Sequence, residues 1–255
     1  MTEGVQSRLV PATEVARQTP VQKAANGIQY ALYGDAKMSA ADVAHVVEAV
    51  PGAIAAALSR KAYYFVPLAM SEGRSSDATL IATEYTSEFV DQATCHRNVV
   101  LDDAEGVFIS ARLLSDRFAL AFEFFINAGH AFVDVAGVPE SFDHLVWAQA
   151  VADIRGETSI DAWDGRMAAL VPEGRTNSKP VVDEKAKLSY LEAAFADAVA
   201  IYLLSMAVDF DYSELREREY PLLAPQALAE RLRLVAELFP PNPNYEFAIR
   251  YRRRA

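Results

Sequence analysis

The stretch from Asp116 to Phe132 constrains this chain more than any other: Arg117-Phe118-Ala119-Leu120-Ala121-Phe122-Glu123-Phe124-Phe125-Ile126-Asn127-Ala128-Gly129-His130-Ala131-Phe132. Its apolar residues recur at helical spacing and leave no broad polar face, so the sequence predicts a helix, opened by Ser115-Asp116 and buried nearly all round. Glu123, Asn127 and His130 follow one another at intervals of four and three, which stacks them along one stripe. A polar stripe through a core needs partners. It forms a satisfied hydrogen-bond network, with Asn127 pairing to His130 and Glu123 reaching another helix, or it belongs to a site.

The rest of the chain is read around that helix. Residues 1–27 mix Thr, Gln, Pro and charges without sustained periodicity and are expected as an N-terminal arm or short surface helix; a single domain is expected over 28–255. Ser39-Ala-Ala-Asp opens a helix whose apolar face is Val43, Val46, Val47 and Val50, Pro51 ends it, and an Ala-rich helix runs from Ala53 to Arg60. Short β-type runs follow at Tyr63–Val66, Thr79–Ala82, Asn98–Leu101 and Val107–Ile109. Further helices are expected over Leu113–Phe132, Phe142–Ile154, Asp183–Met206 and Ala224–Phe239, the last closed by Pro240-Pro241-Asn242-Pro243. Gly174–Pro180 reads as an exposed loop. The fold class is α+β and helix-rich.

Composition excludes several functions. A net charge of −11 and a pI near 4.9 set the surface against nucleic acid and anionic membranes, and the basic tail Arg250–Arg254 is short and terminal. Cys95 is the single cysteine, so no internal disulfide and no multi-cysteine zinc site can form. No apolar leader core and no uninterrupted apolar run of about 20 residues is present, which leads us to expect a cytoplasmic protein. There is no phosphate-binding glycine loop, dinucleotide fingerprint or hydrolase serine elbow.

Val107-Phe108-Ile109-Ser110, then Gly129-His130-Ala131-Phe132, then Ala194-Phe195-Ala196-Asp197-Ala198 resemble, in that order, parts of a zincin metallopeptidase of the gluzincin type, a group that includes the anthrax lethal factor catalytic domain. The resemblance covers roughly 54–251. It implies a small mixed sheet packed on an active-site-type helix, with Val107–Ser110 as the edge strand, His130 as the second histidine of a His-Glu-x-x-His motif, and a later helix supplying the third ligand.

The chemistry of that motif is specific. Two histidines at i and i+4 share a zinc, and the Glu between them polarises its water. Here Ile126 stands in the first histidine's place and Asn127 in the base's place; an alkyl group cannot ligate and an amide cannot accept the proton. If Phe195-Ala196-Asp197 sets the register, Ala193 occupies the third ligand position. Glu192 matches only after a shift of one residue, about 100° around the helix. Glu123 and His130 are about 10.5 Å apart along the axis, too far to share one small ion comfortably.

The resemblance therefore implies a pseudopeptidase. Its vestigial cleft would comprise Glu123, Ile126, Asn127, His130, Glu192, Ala193 and Asp197, with no catalytic residue, no zinc, and a peptide, protein or small ligand as partner. The alternative is a metal-dependent hydrolase with zinc on a rearranged site of His130, Glu192 or Asp197, helped by His144 or Glu123; a third reading, a helical scaffold with no peptidase ancestry, predicts that Val107–Ser110 is not an edge strand beside helix 116–132. Other candidates read as structure. Cys95-His96 should point to opposite strand faces, a partly buried thiol beside a surface histidine. His45 sits three residues from Glu48 on a helix surface. His144 starts a helix, solvated or approaching His130. Asp209–Glu214 lacks the glycine of a calcium loop, and Glu214–Glu219 reads as a solvated charge run.

Overall fold

A computed structural model describes residues 9–72, 78–102, 104–114, 116–171, 181–215 and 220–249. Ser115, the loop Gly174–Pro180, the charges at 216–219 and the tail Arg250–Arg254 lie outside the described residues. The contacts divide the chain into two compact units, 1–124 and 125–255. Helix outweighs strand, and the class is α+β.

In the first unit the elements run β1 (Leu9–Pro11), α1 (Ala12–Gln18), β2 (Gln22–Lys23), β3 (Gln29–Leu32), α2 (Ala40–Glu48), α3 (Gly52–Ala57), β4 (Lys61–Val66), β5 (Leu68–Ser71), β6 (Thr79–Ala82), β7 (Ala93–Thr94), β8 (His96–Val100) and β9 (Glu105–Ser110). A five-stranded mixed sheet has the order β2-β3-β4-β9-β8, with β3, β4 and β9 parallel and β2 and β8 antiparallel at the margins. A four-stranded antiparallel sheet has the order β1-β6-β5-β7. From residue 9 on, the segment expected as an arm is built into these sheets: β1 pairs with β6, β2 with β3, and Val15 of α1 is buried.

Alternation along the strands separates two faces. Ala62, Tyr64, Val66 and Phe108 pack with Ala12 and Val15 of α1 and with Ile81, while Tyr63 and Phe65 set their rings 4.8 and 6.0 Å from Phe124. The Ser39 hydroxyl caps α2 by accepting from the Asp42 N–H, as its sequence predicts. Ser110, fully buried, ties the two sheets together: its hydroxyl accepts from the Ala69 N–H and donates to the Thr94 carbonyl.

Helix α4 (Arg117–Ala136) carries the chain from one unit into the other. The second unit then holds α5 (Glu140–Val151), α6 (Ile160–Ala169), the two-stranded ribbon β10 (Leu170–Val171) and β11 (Val181–Val182), α7 (Glu184–Ala207) and α8 (Pro225–Leu238). Within it α7 is the central helix, buried from Tyr190 to Leu204 on nearly every face, with Phe132, Phe142 and Phe239 clustered on Phe195. By length and composition α4 and α7 both suffice to cross a membrane, but 83% of the α7 window is buried inside the protein, as in a core helix.

Two expectations are corrected. Val107–Ser110 is no edge strand: it belongs to β9, flanked by β4 and β8, which is why its side chains are fully buried; the edge is β8. Nor is α4 buried all round. Phe118, Phe122, Glu123, Ile126 and Asn127 are half-exposed and His130 is exposed, so the polar stripe lies on an open face and its polar groups keep access to water.

Candidate functional site

In the first unit the site is built from β8 and the first half of α4. The Ser110 N–H donates to the Cys95 carbonyl, so residue pair 95/110 is hydrogen-bonded, and by the antiparallel alternation Arg97 and Val99 bond β9 as well. The main-chain groups of His96, Asn98 and Val100 are thereby directed to the outer margin of the sheet, where the His96 carbonyl accepts from the Thr94 hydroxyl at 3.0 Å. Side chains alternate too: Val99 packs on the α1 face and Arg97 donates to Thr79, whereas His96 turns to α4, its Nδ1 2.6 Å from Glu123 Oε1. Glu123 thus reaches a strand, not the helix expected of it, and His96, a surface histidine with 40% of its side chain exposed, is its partner. Beside Glu123 the rings of Phe118 and Phe122 lie 5.8 Å apart on the open face of α4. Cys95 is exposed, not partly buried as expected, and desolvation together with the charge of Glu123 raises its thiol pKa, which leaves it a weak nucleophile.

In the second unit the Gly-His segment of α4 lies against α7. A β-carbon on Gly129 would stand 2.6 Å from the Ala196 carbonyl, so the two helix backbones touch at that point. Next to it Asp197 is buried, and Thr158 Oγ1 donates to its Oδ2 at 2.8 Å. Burial pushes the Asp197 carboxyl up to about 6; hydrogen bonds from Ser159 and Thr158, and then the charges of His130 and Arg231, pull it the other way. Glu192 is exposed and Ala193 half-buried, one turn earlier on α7. His144 does not approach His130: it is exposed, with Nε2 3.9 Å from Glu140 one turn back on α5.

These residues do not fit a zinc ion. Ile126 brings hydrocarbon and Asn127 an amide, and the Asp197 carboxylate is engaged by hydroxyls in the interior. Among the described residues no three of His, Cys, Asp and Glu come together as a ligand set, and His130, Glu192 and Asp197 do not form one.

A polar cluster that the sequence did not disclose lies nearby in the second unit. Glu157 is fully buried; Arg231 Nη1 donates to it at 2.9 Å, Tyr190 Oη at 2.7 Å and Arg166 Nη1 at 3.3 Å, while Arg231 Nε donates to Gln149 Oε1 at 2.8 Å. Three helices of the unit converge on one carboxylate, which braces them without facing solvent. Arginines on amphipathic helices usually read as surface, so nothing in the spacing marked Arg166 or Arg231.

Comparison with protein-family models, curated proteins and solved structures finds no match.

Proposed function

We propose that this chain is a zincin-like pseudopeptidase, a non-catalytic domain that binds an extended peptide by adding it as a strand to β8. The observation that carries the reading is the sheet margin itself: His96, Asn98 and Val100 direct main-chain donors and acceptors outward, and the His96–Glu123 contact sets that margin beside the half-exposed Phe118 and Phe122. Strand addition draws affinity from main-chain hydrogen bonds and selectivity from alternate side chains. Apolar residues of the peptide would meet the two rings, and a chain of net charge −11 favours basic peptides. The resemblance assigns the edge to Val107–Ser110, which β8 covers, so strand addition at β8 rests on the sheet margin, while Ile126 and Asn127 stand where hydrolysis needs a ligand and a base.

Two measurements test it. A basic-apolar peptide array probed with the full chain should yield binders that weaken at least about tenfold in Asn98→Pro, which removes one outward N–H and leaves the β9 ladder intact. Binders unaffected by that change would refute strand addition. Metal analysis of protein purified without chelator should find zinc far below one equivalent; near-equimolar zinc lost in His130→Ala would favour the rearranged hydrolase instead.

A further inference from the structure

Beyond the carboxyl ends of the parallel strands β3, β4 and β9, the first unit holds a cavity of about 580 Å³. Its walls come from the residues just after β3, Asp42 of α2, the residues just after β9, the first turn of α4, and Tyr85. This end of an open sheet is where α/β proteins most often seat small ligands, and the volume is that of a metabolite-sized pocket.

Arg112 is the fixed element. Its N–H extends the β4–β9 pairing by donating to the Pro67 carbonyl at 3.1 Å, its guanidinium lies 4.6 Å over the Tyr85 ring, and its side chain is only 12% exposed. Nη1 alone is used, donating to the carboxylate and carbonyl of Asp35. Nε and Nη2 make no hydrogen bond among the described residues, so part of a rigid, stacked fork faces the cavity with its donors unused.

Two more cations line the same space. Lys37 is held in the left-handed backbone region at φ 55°, with its N–H donated to Asp35 and no partner for its ammonium among the described residues. Among the described residues Arg117 has a single ion pair, at 3.8 Å to Asp42, which is no hydrogen bond. The acids around the cavity are by contrast engaged: Asp42 accepts from the Ser39 hydroxyl at 2.7 Å, and Asp116 from the Ala119 N–H at 2.7 Å. Three cations thus line the cavity against two carboxylates, with Asp35 paired to Arg112 beside it.

The geometry points to a binding site for a small organic oxyanion, a carboxylate or a phosphate, held by Arg112 and covered by Lys37 and Arg117, with its carbon skeleton against Tyr85. The bidentate reach of an oriented guanidinium suits either planar carboxylate or phosphate oxygens. The site is separate from the β8 margin, so each reading fails on its own experiment.

The test is calorimetric titration of the full chain at fixed salt with inorganic phosphate, succinate and, as a cationic control, choline. Saturable binding of either anion and none of choline is expected; phosphate alone would indicate a phosphate ester as ligand, succinate alone a carboxylic acid. Arg112→Gln should weaken binding at least about tenfold, and Lys37→Gln and Arg117→Gln by smaller factors. Lys61→Gln, an equal change of charge at the start of β4, should leave it unchanged. If Arg112→Gln does not fold by circular dichroism, the two exposed positions carry the test. Absence of saturable binding, or binding that these variants leave unmoved or that Lys61→Gln weakens equally, overturns the proposal.

Discussion

Replacing Asp197 with asparagine should stabilise the protein at neutral pH, an unusual outcome for a substitution in a core. The carboxyl is buried and its pKa stands at about 6, against an ordinary value of 3.8. The folded state therefore holds the proton more tightly than the unfolded chain does. Below about pH 4 both states are protonated and the group contributes its full stability. Between about pH 4 and 6 the unfolded chain ionises first, and stability falls by up to about 1.4 kcal/mol per pH unit. Above pH 6 both are ionised and the loss is complete. The gap between the two pKa values corresponds to about 3 kcal/mol at pH 7.5. An amide in place of the carboxyl would keep an oxygen for the Thr158 hydroxyl and remove the charge. Urea denaturation at pH 7.5 and pH 4.5, followed by circular dichroism, measures both ends. Asp197→Asn should gain about 3 kcal/mol at the higher pH and less than about 1 kcal/mol at the lower. A variant less stable than the parent at pH 7.5, or an advantage that does not shrink in acid, would mean that Asp197 is a stabilised anion paired with His130, and the argument from burial would fail.

Gly129→Ala forces a β-carbon to within 2.6 Å of the Ala196 carbonyl, where backbone must give way, and should cost about 1–3 kcal/mol in denaturation despite the better helix propensity of alanine. Arg231→Met strips Glu157 of its closest charged partner in a fully buried setting and should cost about 3–5 kcal/mol; Glu157→Gln added to it should restore part of the loss, and no recovery in the double variant would show that the charge is not what matters.

What could be read from the sequence was local. The Ser39 cap and the valines of α2, the runs that became β4, β6, β8 and β9, and the long helices α4, α5, α7 and α8 all carry their own periodicity or end signals. What escaped was set by distant partners. β1, β2 and β3 are strands of two to four residues that exist because β6 and β4 lie beside them, and β5 follows β4 after the single residue Pro67, which passes the chain from one sheet to the other. Helix α6 carries Asp164-Gly165 in its middle, a weak helical pattern, and is held by Gly165 lying against Tyr190. At the candidate site the polar stripe shows in the spacing, but spacing cannot tell an open helix face from a closed one when aromatics share it. The pairing of Glu123 with His96 joins residues 27 apart, and the three cations around the Tyr85 cavity come from segments that only the parallel sheet brings together.

The margin of β8 has one more implication. Val100 is 87% exposed there, and the outward positions His96, Asn98 and Val100 include neither lysine nor proline, the usual guards of a bare strand. A second copy of this protein would find the same outward main-chain groups of Asn98 and Val100 that a peptide would, so crowding at high concentration competes with recognition, and a bound guest doubles as a shield against self-association.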